Sequence, residues 1–328
     1  MIALRALADG FRAVGRSWGL PVLLLVVNLL TAAVLAVPLA GEMERSLAKS
    51  RSAHGMLYGF DFPWWSHWHD TRSGHSAAFG PDLFGVGFAF KNAELLLQGY
   101  LPLGLFADPP ADGDDPPIDP LTLGLGGAYL LVQVFLAGGV LSALRGTQGA
   151  WTTRGLWHGS GFYFGRFFRI TLVTLALVAL VFLVNAPLAR WVEHRAREAV
   201  SERTAMAWLL GRHALLLFAL LGVHLVASYA RVVTVLEERS SALLAVVSSL
   251  TFCLRHPLRT AGQLALVGLA ALALLAVWHG LDTAWGTTGY KTQIVTLLLA
   301  QGLMFGRIAL RVGLAAGQLA LYRRLSAS

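Results

Sequence analysis

The chain has 328 residues, is 56% hydrophobic and only 13% charged, and carries a formal net charge of +8 with a mean hydropathy of +0.61. A soluble domain carries roughly 25% charged residues, so this composition excludes an ordinary water-soluble globule. A single cysteine, Cys253, excludes an intramolecular disulfide; set in the apolar run Ser249–Leu254, it reads as a packed thiol and not as a nucleophile.

In chain order, residues 1–16 form the first element. Ile2, Leu4, Leu7, Phe11 and Val14 alternate with Arg5, Asp9, Arg12 and Arg16, a spacing that predicts an amphipathic interfacial helix. Span one follows over 17–41. A bilayer core of about 30 Å takes about 20 apolar helical residues. Ser17–Gly41, Pro120–Leu144, Ile170–Ala189, His213–Ala230 and Thr260–Leu281 meet this, and Thr292–Gly306 is a weaker sixth run. The first run is too long for a signal-peptide core and lacks a small-residue cleavage pattern, so it is expected to stay uncleaved.

Residues 42–119 are too long for a simple connection and are expected to form an outside cap. Its first part, Gly41–Gly55, reads as a helix continuing span one past Pro38. Gly59–Asp70 is dense in aromatic residues, with Trp64, Trp65 and Trp68 suited to an interface or to docking a partner. Pro81–Tyr100 reads as one or two interfacial helices, too charged for a seventh span. Ala107–Pro120 is a Pro/Asp-rich turn region. Residues 120–328 are the bundle of spans two to six.

Two further amphipathic segments, Trp151–Phe164 and Glu237–His256, precede spans three and five. The second is stopped by Pro257. The expected fold is thus all-α. Six transmembrane helices form three span pairs, each preceded by an interfacial helix on the cytoplasmic side, with the cap between spans one and two. The pattern reads as one unit written three times. Gly15-Arg16 matches Gly165-Arg166, and Pro38-Leu39-Ala40 followed by Glu44 matches Pro187-Leu188-Ala189 followed by Glu193. Repeated span pairs are a recurrent membrane architecture.

Charge sets the expected orientation. The termini and the two–three and four–five loops carry fifteen arginines against Asp9, Glu237 and Glu238, a net +12; the other side holds eleven basic and fifteen acidic residues, a net −4. Basic residues near span ends stay in the cytoplasm, so both termini are expected there. The basic balance then reflects topology and anionic inner-leaflet lipid, not nucleic acid. A bacterial cytoplasmic membrane is the expected location.

Val235-Leu-Glu-Glu-Arg-Ser-Ser-Ala242, leading into Leu254-Arg-His-Pro-Leu-Arg259, resembles uncharacterised bacterial six-span proteins. These are similar to the membrane domain associated with glycerophosphodiester phosphodiesterases. The resemblance covers mainly Gly165–Ala320 and implies an acidic amphipathic helix ahead of an Arg/Pro-led span. It implies no catalytic residues, because the catalytic barrel is absent.

Three sets of candidate residues stand out. His67, His69 and Asp70 are two histidines at i, i+2 with a carboxylate, which on a strand share a face and can bind zinc; histidines of an aromatic belt facing water are the alternative. Asn28, Gln133, Asn185, His224, Gln263 and Gln301 are polar at membrane depth and should face the bundle interior. His224 suits a proton carrier or an axial ligand to haem or chlorin, against a hydrogen-bonded packing histidine. Arg307 and Arg311, at i, i+4, either snorkel to headgroups or clamp a lipid phosphate. Gly138-Gly139, Gly313–Gly317 and Leu123–Ala128 are small-residue faces for close helix packing. No particular cofactor is implied.

Function is expected to be that of a non-enzymatic scaffold or accessory subunit, engaging membrane-protein partners or a second copy. Two other readings stay open. One is a transporter or flippase-like carrier of a lipid or amphiphile; the other is a metal-assisted enzyme on the outer face.

Overall fold

A computed structural model describes residues 2–48, 50, 52–55, 61–71, 120–146, 151–285 and 290–326. Pro81–Tyr100, Ala107–Asp119, His75 and most of Gly59–Asp61 lie outside the described residues. Ten helices make up the described chain: α1 (Ile2–Arg16), α2 (Gly19–Leu47), α3 (Ser52–Gly55), α4 (Phe62–Asp70), α5 (Pro120–Arg145), α6 (Thr153–Arg197), α7 (Glu202–Leu236), α8 (Ala242–Arg255), α9 (Pro257–Trp285) and α10 (Tyr290–Ser326). Six of them, α2, α5, α6, α7, α9 and α10, are long and apolar enough to cross a membrane.

Local sequence explains the boundaries. The Thr152 hydroxyl accepts from the Gly155 amide at 3.1 Å and starts α6; Ser241 caps α8 in the same way at the Leu244 amide. Asp61 caps α4 with its carboxylate on the Trp64 amide at 3.0 Å, with Pro63 in the first turn. Pro257 opens α9, since a proline can begin a helix but not continue one. Pro38 and Pro187 nonetheless lie inside α2 and α6. Membrane helices tolerate this where neighbours take up the freed carbonyl.

The amphipathic segments differ from expectation in how they join their spans. α1 is set off from α2 by a turn at Ser17-Trp18, with Trp18 exposed as an interfacial tryptophan would be. The Trp151–Phe164 segment is not a separate element. From Thr153 on it is the first quarter of α6, an unbroken 45-residue helix with no proline before Pro187. α8 buries Ala242, Ala245, Ser249 and Cys253 and turns Leu243, Leu244, Val247, Leu250 and Leu254 outward. Its small residues face protein and its large ones face away.

The core lies at the arginine-rich end that holds both α1 and the last turns of α10. Tyr163, Phe167, Ile170, Tyr229, Val232, Val233, Leu319 and Leu321 pack there with Ala6 and Cys253. α6 packs most extensively on α5 and α7, and α10 on α1 and α9. Glycine permits two of these approaches. On the α5–α6 side, a Cβ built on Gly159 would lie 2.5 Å from Ser142 Cβ, and one on Gly138 3.0 Å from Tyr163 Cβ.

On the α1–α10 side, a Cβ on Gly10 would lie 2.5 Å from the Gly317 nitrogen and 2.6 Å from the Gly313 oxygen. The Gly313–Gly317 pair is therefore a notch into which the backbone of α1 sits. Leu7 opposes Gly317 and Phe11 opposes Gly313, so α1 runs along α10 in the opposite direction. Its buried face is Ala6, Leu7, Gly10 and Val14, while Ile2 and Leu4 of the predicted stripe face out. Gly124, Gly126 and Gly127 of α5 have nothing within 4 Å.

Candidate functional site

Four elements meet at Gln263, which is wholly buried on α9. Its amide nitrogen donates to the carbonyls of Ala3 (3.4 Å) and Gly317 (3.2 Å), and its oxygen accepts from the Tyr229 hydroxyl (3.2 Å). A buried amide in an apolar bundle must be paired in this way. Nearby, Gln318 donates to the Ser228 hydroxyl at 2.9 Å, and Ser249 donates to the Val226 carbonyl at 2.6 Å. The arginine-rich end is thus closed by polar bonds between α1, α7, α8, α9 and α10.

Ion pairs finish that end. Arg145 meets Glu238 at 2.7 Å, and Arg166 donates to the Glu238 carbonyl at 3.2 Å. Glu238 has φ 53, the one positive-φ non-glycine residue among those described, and these two arginines hold it there. Glu237 takes Arg239 at 2.5 Å and the Tyr322 hydroxyl. Asp9 takes Arg12 at 2.8 Å and Arg324. All three carboxylates assigned to this side are therefore engaged.

Above this floor, α2, α5 and α10 separate around a cavity of about 720 Å³. That volume lies within the range of small-molecule sites, about 300–1,000 Å³. Its walls are mostly apolar: Leu25, Leu29 and Leu35 of α2, Leu125 and Val132 of α5, and Met304 and Ile308 of α10. Asn28, Thr31, Tyr129, Gln301, Arg307 and Arg311 supply the polar groups. The unfilled faces of α5 contribute, since Gly126 lines the cavity.

Asn28 ties α2 to α5 at one wall. Its oxygen accepts from the Tyr129 hydroxyl at 2.8 Å and from Gln133 at 3.1 Å, while its own amide donates to the Leu24 carbonyl at 2.8 Å. On the opposite wall the Gln301 side-chain oxygen is buried with no hydrogen bond among the described residues. An orphaned acceptor at membrane depth is costly. Arg307 and Arg311 are exposed to the cavity from the middle of α10. No ion pair joins Arg311 to a carboxylate among the described residues. Arginine at membrane depth is a candidate functional residue by default.

The structure therefore brings Asn28, Gln133, Gln301, Arg307 and Arg311 to one region and leaves the other polar candidates apart. Asn185 is buried within α6. His224 is exposed on α7 and is not among the residues that line the cavity. Arg212 is buried at the far end and reaches Glu193 at 3.8 Å. Its Nη2 lies 2.9 Å from His213 Nε2, and His213 Nδ1 lies 2.7 Å from the Leu209 carbonyl. A carbonyl only accepts, so the proton is on Nδ1 and Nε2 accepts from the arginine.

His67, His69 and Asp70 fall on α4, a helix and not a strand. Residues at i and i+2 on a helix point to different sides, so the shared face that the metal reading requires is not present. His69 is 3.8 Å from Asp70, and among the described residues no group of three potential ligands comes together. The tryptophans do converge. Trp64 and Trp68 are buried and stacked, with ring centres 5.8 Å apart. Trp64 donates to the Ser46 hydroxyl at 3.2 Å, folding α4 back onto the end of α2. Trp65 is half-buried and packs on Phe62 and His69.

No protein-family model matches the chain, and no curated protein and no solved structure is similar to it. Tyr129 and Thr31 are the lining residues that sequence reasoning missed. Each belongs to an apolar run, and only the mutual placement of three helices shows that they share a space.

Proposed function

We propose that the protein binds an anionic amphiphile between α2, α5 and α10 and serves as a membrane carrier for it. The observation that carries this reading is an apolar cavity of about 720 Å³ with Arg307 and Arg311 on its wall. Acyl chains suit the leucine-rich part and an anionic headgroup suits the guanidinium pair. Asn28, Tyr129 and Gln301 add neutral donors and acceptors that orient the headgroup.

The +12 against −4 split of charge supports a cytoplasmic arginine-rich end, in a bacterial inner membrane. A threefold repeat fits the helix lengths. α1 and α2 have 15 and 29 residues, α8 and α9 have 14 and 29, and α6 is 45 residues in one piece. Each is followed by one returning span. Kinship with six-span proteins similar to the phosphodiesterase-associated membrane domain rests on the α7–α8–α9 passage.

A scaffold or accessory subunit is the second reading. The uncovered glycines 124, 126 and 127 on α5 favour it, because small residues without a neighbour suit a partner helix. Native mass spectrometry after gentle extraction separates the two. The carrier reading expects the lone chain with retained anionic lipid, lost on Arg307→Gln with Arg311→Gln. A stoichiometric complex with another polypeptide and no lipid preference would overturn it in favour of the scaffold.

A further inference from the structure

The cavity between α2, α5 and α10 has two unlike ends. Arg323, near the end of α10, donates to the carbonyl of Arg145, the last residue of α5, at 2.7 Å. Those two helices therefore finish side by side at the arginine-rich end, and α2 departs from it. Toward that end the lining stops at Leu25, Val132 and Arg311. The residues next in that direction, Leu24, Leu136 and Val312, pack into one buried cluster with Leu20 and Val140. They give the cavity an apolar floor. Arg307 and Arg311 are one turn apart on one face of α10 and stand just above it. Away from the floor the wall is Ala32, Leu35, Leu125, Gly126 and Met304. A charged group is thus served at one end only, and an attached chain can extend only toward the other.

Size then limits the ligand. On α2 the lining runs from Leu25 to Leu35, about 15 Å of helix at about 1.5 Å per residue. That is half of a bilayer core of about 30 Å, the depth that the chains of one leaflet occupy. The volume is about 720 Å³, which holds about 24 heavy atoms at about 30 Å³ for each water-sized group. One acyl chain with a small anionic group has about that many heavy atoms, and a phospholipid with two chains has about twice as many. Buried space is close-packed, so a second chain has no room in it.

We propose that the cargo is a single-chain amphiphile with an anionic oxygen headgroup, held with that headgroup at Arg307 and Arg311 and its chain pointing away from the arginine-rich end. The proposal rests on the carrier reading above and names its ligand class. Guanidinium groups pair with carboxylate and with phosphate oxygens in the same forked geometry, so a fatty acid and a lysophospholipid offer one chemistry. Gly126 has nothing within 4 Å and leaves width for the chain at the far end.

The test is retention from mixed micelles at equal mole fraction, read by native mass spectrometry of the full chain. The probes are oleate, oleoyl lysophosphatidylglycerol, oleoyl lysophosphatidylcholine and dioleoyl phosphatidylglycerol. Lysophosphatidylglycerol should be retained about tenfold over phosphatidylglycerol, the order expected when a second chain overfills a close-packed site. It should also exceed lysophosphatidylcholine by about tenfold, the order of one charge-assisted contact. Oleate retained above lysophosphatidylglycerol names a fatty acid as the source, the reverse names a lysophospholipid, and either supports the proposal. In a series of lysophosphatidylglycerols of graded length, Gly126→Leu should shorten the favoured chain by about four carbons, the size of the side chain added. Gly127→Leu, outside the lining, should leave the favoured length unchanged. Phosphatidylglycerol retained as well as its single-chain form overturns this inference and leaves the amphiphile reading intact. Equal retention of the two lysolipids overturns both. An unchanged length profile in Gly126→Leu overturns the seating of the chain. If Gly126→Leu does not fold, the ratio of single-chain to two-chain lipid on the native protein decides.

Discussion

Gly10→Ala on α1 should destabilise the protein even though alanine is the better helix former. In an isolated helix the change gains about 1 kcal/mol. Here the new methyl would lie 2.5 Å from the Gly317 nitrogen, 2.6 Å from the Gly313 oxygen and 2.9 Å from Gly317 Cα. All three are backbone atoms of α10 and cannot rotate away, so α1 must move outward by several tenths of an ångström. Overpacking of this kind costs about 1–3 kcal/mol. The shift also stretches the Gln263 bonds to Ala3 and Gly317, already 3.4 and 3.2 Å, each worth about 1 kcal/mol. The net expectation is a loss of about 1–3 kcal/mol.

Gly15→Ala is the control. It lies on the same helix and has nothing within 4 Å, so it should be neutral or stabilising by up to about 1 kcal/mol. Gly313→Ala meets the Phe11 ring edge at 2.6 Å, and Gly317→Ala meets Leu7 at 3.3 Å; both should fall between the other two. Thermal unfolding in detergent, followed by elution of the folded fraction, ranks the four. One kcal/mol moves the midpoint by about 2–4 °C for chains of about 150–250 residues. Indistinguishable midpoints for Gly10→Ala and Gly15→Ala would refute the seating of α1 in the glycine notch.

Asn28→Leu removes the acceptor shared by Tyr129 and Gln133. It should cost about 1–2 kcal/mol in all, since intramembrane hydrogen bonds average about 0.6 kcal/mol each; an unchanged midpoint would show that α2 is not held there. Burial pushes the Cys253 thiol up to about 11. Alkylation of the folded protein should therefore stay slow at pH 8 and accelerate only toward pH 11, whereas the unfolded chain should react at about pH 8.5; fast labelling of the folded protein at pH 8 contradicts this packing. Hydrogen bonds from Ser52 and the Trp64 amide hold the Asp61 carboxyl below its ordinary value of 3.8. A depressed carboxylate stabilises above the unfolded value and stops doing so as pH falls through the folded one. Tryptophan emission should accordingly report loosening of α4 only below about pH 4, and Asp61→Asn should remove that transition.

The number of long apolar helices was legible in the sequence, because about 20 consecutive apolar residues have few fates other than a bilayer. The break at Pro257 was legible for a similar reason, since proline chemistry acts over three or four residues, whereas the caps at Thr152 and Ser241 were not read, and the segment expected from Glu237 begins only at Ala242. The pairing partner of each glycine was not. Gly313–Gly317 and Leu123–Ala128 look alike as sequence, yet one is filled by the backbone of α1 and the other is open beside a cavity. His67 and His69 suited a metal only if the chain were extended, and the Asp61 cap with Pro63 makes it helical. Asn28, Arg307 and Arg311 were legible as polar groups at depth. That Asn28 and Gln133 bond across α2 and α5, and that Tyr129 and Gln301 share a space with the arginines, depends on helices remote in sequence. Hydropathy is a property of one segment and is written along the chain. A cavity is a property of the gap between segments, decided by which side chains are too small to close it.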